Sequence, residues 1–506
     1  MSQIARSTLI IAIFFGLEKA LGFARQIFVA RQFGLSAELD AFNAANNLPD
    51  MIFALISGGA LAMAFIPVLS ETLQKYGHPA AWQLFSRIAN LVFLVTAGLS
   101  LVIALFAGPL VARVVTPGFP AEQQHLVANL MRINLVSTLI FSLSGLVIAG
   151  LQANQHFLLP AMAPSMYDIG MLVGVLILAP TEGYQLGPLH LPSLGLGVYG
   201  LVYGTVIGAL LFLGIQIPGL IRFRFRYTPA IGLRTPGVQQ VLSLLGPRVF
   251  TMLFIQLIFI TTDNLASRFA AGAVSALTYG WLFMQVPETL IGSALGTAML
   301  PTLSEQTARQ DEQGFRKALH GAARLLLALS LPAAALIMTG VRPLVGILGF
   351  DAQGTELVVW TTRAFLFGLV GHTLLEVSVR AFYARQDART PLLAAFLTLL
   401  AFVGLAFLLV RWLGITGIGL ANSLAFSGEA LLLWLLLSRR YPGVLRVGGT
   451  LLRAALAGLL GAGLVYGLLH LPLPIPGLVQ ALVALVGGGA LALPFIWPEI
   501  KLLVKL

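Results

Sequence analysis

Apolar runs long enough to cross a bilayer follow one another along nearly the whole chain, separated by short polar or Pro/Gly breaks. The runs are continuous. They do not alternate with period two over about ten residues, as the strands of a membrane barrel would. In hydrocarbon every backbone polar group needs an internal partner, and a helix supplies one for each residue. A spanning helix needs about 20 mostly apolar residues. The pattern predicts about fourteen helices over 7–33, 38–70, 81–115, 127–152, 157–180, 194–221, 237–269, 273–303, 316–346, 356–384, 390–412, 416–438, 449–469 and 477–500. The fold class expected is an all-α polytopic membrane protein, and an even count of spans puts both termini on one side.

Composition agrees with that pattern. Of 506 residues 58% are hydrophobic and only 10% are charged, and mean hydropathy is +0.92. A soluble protein of this size has no means of hiding so much apolar surface. There is no cysteine, which excludes disulfides and thiolate metal sites, and the seven histidines show no paired metal-ligand spacing. The net charge of +11 would suggest nucleic acid in a soluble domain. Here it reads as the positive-inside rule. Alternate connections carry Lys75 and Arg87, then Arg222 to Arg234, Arg309 to Lys317, Arg385 and Arg389, and Arg439 to Arg446. The opposite connections are poor in Lys and Arg, so both termini are expected in the cytoplasm. The first apolar run contains Glu18, Lys19 and Arg25, unlike the uncharged core of a cleaved signal.

The sequence repeats itself. AGLQANQHFLLP (149–160) aligns with RAFYARQDARTP (380–391), matching Ala153 to Ala384, Gln155 to Gln386 and Pro160 to Pro391 at a spacing of 231. FIPVLSE (65–71) aligns with MLPTLSE (299–305) at a spacing of 234. Two matches at nearly one spacing predict a duplication. The expected organisation is two pseudo-symmetric six-helix lobes, 1–225 and 226–440, with two further helices in 441–506. Parallel repeats of this kind are one way in which transporters place a site between halves.

Read together and in order, GFARQIFVARQFG (22–34), DAFNAANNLPD (40–50), TPGF (116–119), LPAMAP (159–164), LGTAMLPTLS (295–304) and FYARQDARTP (382–391) resemble the signature segments of the MurJ/MviN lipid II flippases of the MOP transporter superfamily. The resemblance runs over nearly the whole chain. It implies fourteen helices, two lobes around a central cavity and a groove for a lipid tail near the last two helices. It also implies movement of undecaprenyl-pyrophosphate-linked peptidoglycan precursor from the cytoplasmic to the outer leaflet of the bacterial inner membrane, by alternating access and without enzymatic chemistry.

A sugar pyrophosphate needs a wet route with cations, and charged side chains inside a membrane usually face such a route. The first helix offers Lys19 and Arg25, where the family carries cations. Arg grips phosphate oxygens bidentately and Lys acts as a point charge. Glu18, seven positions before Arg25, is an alternative partner that would reduce the arginine to a structural ion pair. Asp40 matches a family acid and reads either as a gate or as a favourable charge at a helix N-terminus. The chain departs from the family at Phe53, Ala54 and Gly58 in the second helix. It departs again after Tyr279-Gly280, where Trp281, Leu282 and Gln285 replace charged residues. Arg248 is a replacement cation for the substrate, and Glu288 and Asp168 are added cavity charges, unless all three are polar packing contacts. Asp263 matches a position near a family cation site. In the eleventh helix Thr398 is the only polar side chain over 392–404, which leaves a sodium site incomplete.

GLGVYG (195–200) fits a nucleotide-loop pattern, but it opens a membrane helix, and its glycines suit close helix packing instead. No metal site and no cofactor are expected. Na+, H+ or the membrane potential remain open as the driving force. The expected partners are the lipid-linked glycan, membrane lipids and cell-wall synthesis enzymes, and not nucleic acid. Three other functions stay open at this point: a flippase for another polyprenyl-linked glycan, a cation-coupled exporter of the same superfamily, and a degenerate scaffold.

Overall fold

The structure, a computed structural model, describes residues 3–56, 59–186, 189–472 and 474–502. The chain divides into two compact units, Met1–Gly272 and Ala273–Leu506.

The first unit holds α1 (Gln3–Phe33), α2 (Ala37–Ile56), α3 (Gly59–Leu105), α4 (Ala107–Leu110), α5 (Ala121–Ala153), α6 (Leu158–Val173), α7 (Val198–Gly214), α8 (Ile217–Arg222) and α9 (Pro236–Ala266). A two-residue hairpin, β1 (Gln185–Leu186) and β2 (Leu189–His190), lies between α6 and α7. Gly77, at φ 78°, bends α3 just before Pro79, so this one long element contains parts of two expected spans. Helices α6 and α7 pack through glycines. A Cβ on Gly170 would strike the backbone of Gly208, and one on Gly174 would lie 2.9 Å from Cα of Gly204. Small residues allow this backbone approach, which supplies packing where lipid removes the hydrophobic driving force. Gly200, from the GLGVYG stretch, belongs to the same seam, its Cβ position lying 2.5 Å from the Ala179 nitrogen.

The second unit holds α10 (Ala273–Glu288), α11 (Ala294–Ala308), α12 (Glu312–Gly346), α13 (Ala352–Leu366), α14 (Leu369–Ala384), α15 (Arg389–Leu413), α16 (Thr416–Arg440), α17 (Gly448–His470) and α18 (Gly477–Ile500). A π turn, Thr289–Ser293, joins α10 to α11. Helices α17 and α18 pack on each other at Gly461 and Gly488 and seat against Leu336 of α12. Among the described residues, ten helices are long and apolar enough to cross a membrane, and α13 with α14, bent by 42°, makes an eleventh. The remaining expected spans are also helical. They correspond to α1, to α2, and to α10 with α11, segments in which Glu18, Lys19, Arg25, Asp40, Asp50, Glu288 and Glu305 interrupt the apolar run. All fourteen expected spans therefore have a helical counterpart.

The duplication reaches the backbone. Helix α5 ends at Ala153 and α14 at Ala384, each followed two residues later by a left-handed glutamine, Gln155 at φ 58° and Gln386 at φ 60°. The His156 N–H donates to the Leu151 carbonyl at 2.9 Å, and the Asp387 N–H to the Phe382 carbonyl at 3.0 Å. Gln155 and Gln386 donate to Gln152 and Tyr383, both at 2.9 Å. This is the Schellman closure of a helix C-terminus, built twice from residues 231 positions apart.

The compact division at Gly272 falls one helix later than the boundary that the repeat suggests near 225, because α9 packs on α2 and α3. Its end is tied to the first unit. Gly118 of the TPGF segment donates its N–H to Ser267 Oγ at 3.1 Å, and a Cβ there would lie 2.5 Å from the Ser267 carbonyl oxygen, so only glycine fits. Asn264 donates to the Val114 carbonyl at 2.7 Å.

Candidate functional site

In the first unit, α1 carries Glu18, Lys19 and Arg25 along one side. Lys19 pairs with its neighbour Glu18 at 3.3 Å, and its side chain is 58% exposed. Arg25 is mostly buried and does not reach Glu18. Its Nε lies 3.3 Å from Oδ1 of Asp168 on α6, whose carboxylate is 4% exposed. Asp168 also lies against Gly22 of α1, whose Cβ position would be 3.6 Å from Asp168 Oδ2, an ordinary contact distance. The Arg25 guanidinium also lies over the Tyr167 ring at 5.2 Å. Tyr167 meets Phe141 at 5.5 Å, and Phe141 meets Phe53 at 6.0 Å. Phe53 thus begins an aromatic row that ends at Arg25. Such a row fixes the plane of the guanidinium, and the cation gains from the ring face.

Three polar contacts organise the other end of this unit. Asp40 is fully buried, and its Oδ2 accepts the Gly272 N–H at 2.7 Å. Gly272 has φ 91°, and Leu35 Cβ lies 2.6 Å from where its Cβ would be. Asp40 therefore holds the end of the loop that follows α9. Asp263 accepts from Asn47 Nδ2 at 2.5 Å. Asn134 donates to Asn46 Oδ1 at 2.6 Å. The DAFNAANNLPD segment thus supplies the carboxylate and both amides that receive α5 and α9. Asp50, its last residue, is exposed. The side chain of Arg248 on α9 and the whole of Gly58 lie outside the described residues.

In the second unit, Glu288 closes α10 and accepts from Ser293 Oγ at 3.3 Å and from Thr289 Oγ1 at 3.4 Å, both in the π turn. Arg380 of α14 pairs with Glu376 one turn earlier on its own helix. Gly292 and Gly296 open the face between them. A Cβ on Gly292 would meet Glu288 Oε1 at 3.0 Å, and one on Gly296 would meet the Arg380 guanidinium at 2.8 Å. The departures after Tyr279 are packing residues. Tyr279 abuts Phe350 at 5.3 Å, Gly280 lies under Thr361, and Trp281 meets Phe365 and His372, both at 5.5 Å. Gln285 is exposed. Thr398 donates to the Ala394 carbonyl at 2.9 Å and lies against the nearly buried Glu429 of α16. Asp263 and Thr398 belong to different units, and among the described residues no three His, Cys, Asp or Glu side chains group as metal ligands.

The sequence reading passed over Asp50, Glu376, Arg380, Glu429 and a cluster formed by Arg324, Arg453 and Glu499. The signal was present, since each is a charged residue inside or at the edge of a predicted span, and an intramembrane charge is a functional candidate by default.

A family model described as "Lipid II flippase MurJ" matches residues 29–486. The lipid II flippase MurJ of Burkholderia cenocepacia is 31% identical over 474 residues, covering 90% of this chain and 89% of the relative. The probable lipid II flippase MurJ of Vibrio cholerae is 26% identical, covering 85% of this chain and 82% of that one. Among solved structures, lipid II flippase MurJ in an inward closed conformation superposes with a TM-score of 0.80 at 22% identity, covering 97% of this chain and 100% of that one. An inward-facing multidrug resistance MATE transporter of the MOP superfamily gives a TM-score of 0.67 at 16% identity, covering 85% and 96%. The fold is thus similar to that of a MATE transporter as well, while the two MurJ relatives match in sequence over most of their length. This chain belongs to the MurJ lipid II flippase family.

Proposed function

We propose that this chain flips lipid II across the bacterial inner membrane by alternating access, with both termini in the cytoplasm. It is a transporter and not an enzyme. The observation that carries the reading is Arg25, a guanidinium inside the first apolar helix of a chain of this family. It is oriented by a tyrosine face and opposed by a single carboxylate at 3.3 Å.

The chemistry follows from that geometry. Arg25 Nε has no hydrogen-bond partner, so its contact with Asp168 is an ion pair without a directed N–H bond. Pyrophosphate oxygens offer the guanidinium two aligned acceptors, and charge-assisted bidentate bonds are about twice as strong as neutral ones. Asp168 keeps the cation tolerable while the site is empty and gives way when phosphate arrives. Lys19, exposed on the same helix, adds a mobile point charge, and Glu18 limits its strength. Asp40 acts through the loop it holds. Asp263, and separately Thr398 with Glu429, are the carboxylate sites at which Na+ or H+ would couple. The lipid tail runs along α17 and α18, and cell-wall synthesis enzymes receive the product.

The test is replacement in a cell depleted of its own lipid II flippase, with labelled precursor measured at the outer leaflet. Wild-type chain restores the signal, and Arg25→Ala does not. Restoration by both Lys19→Ala and Arg25→Ala would remove the phosphate assignment. A failure of the correctly inserted wild-type chain to restore would remove the substrate.

A further inference from the structure

Where α17 begins and α18 ends, Glu499 is completely buried and accepts three donors. Arg324 NH2 of α12 reaches its Oε1 at 2.8 Å, Thr450 Oγ1 reaches the same oxygen at 2.8 Å, and Arg453 pairs with it as well. Arg324 Nε also donates to Thr450 at 3.0 Å. One carboxylate thus gathers two guanidiniums, and the cluster keeps a net positive charge. It is not closed. The side chains of Arg324 and Arg453 are 27% and 38% exposed, while Arg453 Nε and the other Glu499 oxygen have no partner.

Beside this cluster lies an apolar cavity of about 220 Å³ between α12, α14, α16 and the segment leading into α17. Its wall includes Ala323 and Leu327, which flank Arg324 on α12, and Val447, which precedes Thr450. Leu431 and Leu445 sit on its exposed side. His320 Nδ1, 3.0 Å from the Val444 carbonyl oxygen, holds that connecting segment to α12. Arg439, Arg440 and Arg446 are exposed along the same connection.

We propose that Arg324 and Arg453 bind the phosphate of an anionic phospholipid of the bilayer, and that one of its acyl chains enters the adjoining cavity. The level suits a headgroup, because α17 starts there and α18 stops there. The charge suits it too: basic residues at the cytoplasmic end of membrane helices attract anionic lipids, and an arginine fork matches phosphate oxygens. A spare positive charge beside an apolar hollow is complementary to an amphiphile that carries one phosphate and a hydrocarbon tail. The inference does not depend on what the chain transports.

The test uses the full-length protein in detergent, titrated by native mass spectrometry with phosphatidylglycerol and with phosphatidylcholine of the same chains. Phosphatidylglycerol binds about tenfold tighter, the size expected for one charge-assisted contact. Arg453→Gln, which leaves the Arg324–Glu499 pair intact, removes that preference. Leu327→Trp, which fills the cavity and keeps both arginines, weakens phosphatidylglycerol binding. Equal affinity for the two lipids, or a preference that survives Arg453→Gln, overturns the proposal. If Arg453→Gln does not fold, unchanged binding in Leu327→Trp overturns it instead. Inorganic phosphate that competes as well as the lipid would reduce the site to an anion contact, and lipid II that displaces phosphatidylglycerol one for one would give the site to the substrate. Either result overturns the assignment.

Discussion

The two compact units keep the same turns and spend their charges differently. Arg25 in the first unit and Arg380 in the second are both guanidiniums inside predicted spans, Arg25 opposed by a carboxylate that lies against Gly22 and Arg380 seated on Gly296. Arg25 is opposed across helices by one carboxylate at 3.3 Å. Arg380 is paired with Glu376 of its own helix, and Glu288 stands near that pair across the Gly292 seam. A cation shared loosely between helices can exchange its partner for a ligand. One matched within its own turn, with a second acid close by, has little left to offer an anion. The same contrast appears beside the repeated turn. His156 follows the left-handed glutamine in the first copy and Asp387 follows it in the second.

The largest expected effect comes from removing the exchangeable cation. Arg25→Ala lowers lipid II transport by about 10–100-fold, the equivalent of one or two charge-assisted hydrogen bonds. It also lowers the unfolding temperature, because buried Asp168 loses its cation. Adding Asp168→Asn recovers that stability without restoring transport. Arg25→Lys recovers part of the rate, since it keeps the charge and loses the fork. Arg380→Ala leaves transport per folded molecule close to wild type. It leaves Glu376 and Glu288 without their cation and costs about 1–3 kcal/mol of stability, read as a fall in unfolding temperature, and a double variant with Glu376→Gln recovers part of it. If Arg380→Ala abolished transport at unchanged stability, the contrast between the two arginines would be lost.

Next in size is the capping carboxylate of the second turn. Asp387 accepts the N–H of Thr390 at 3.0 Å, that of Arg389 at 3.1 Å and the Thr390 hydroxyl at 2.7 Å. Asp387→Ala therefore costs about 1 kcal/mol, as loss of a helix cap does, whereas His156→Ala at the matching position costs less. Gln155→Gly and Gln386→Gly act equally, each stabilising by about 0.5–1 kcal/mol, because glycine adopts the left-handed conformation without penalty.

The smallest effect is the dependence on pH. Partial burial, assisted by the charge of Arg222, pulls the His156 imidazole below its usual 6.5. The native turn resists its protonation, so this contribution is present above pH 6.5 and fades as pH falls below it. Partial burial opposes the Asp387 charge, but the Thr390 hydroxyl, the two backbone N–H groups and Arg385 outweigh it and hold the carboxyl below 3.8. Its contribution is present above pH 3.8 and is lost only as pH falls through the lower, folded value. Unfolding temperature followed against pH in detergent then shows two separate windows. His156→Gln removes the upper one, and Asp387→Asn removes the lower.

The fourteen spans were legible in the sequence because a bilayer enforces a long apolar run for each, and the turn at 385–387 was legible because its copy at 154–156 lies elsewhere in the same chain. The pairing of Arg25 was not. Spacing on α1 suggested Glu18, but Asp168 on α6 takes the contact, and only the packing of two helices decides that register. The glycines at 118, 272 and 296 likewise acquire meaning only from the neighbour each one admits. The aromatic replacements at Phe53 and Trp281 read as lost charges in sequence. In space they are parts of packed aromatic rows, one of which supports the cation that remains.

The most direct measurement reconstitutes the purified chain into vesicles with fluorescent lipid II and follows its appearance at the opposite leaflet, comparing wild type, Arg25→Ala and Arg380→Ala, each verified as folded. The account predicts rapid transport by wild type, at least about tenfold less with Arg25→Ala, and transport per folded molecule close to wild type with Arg380→Ala. Equal rates for wild type and Arg25→Ala would contradict it.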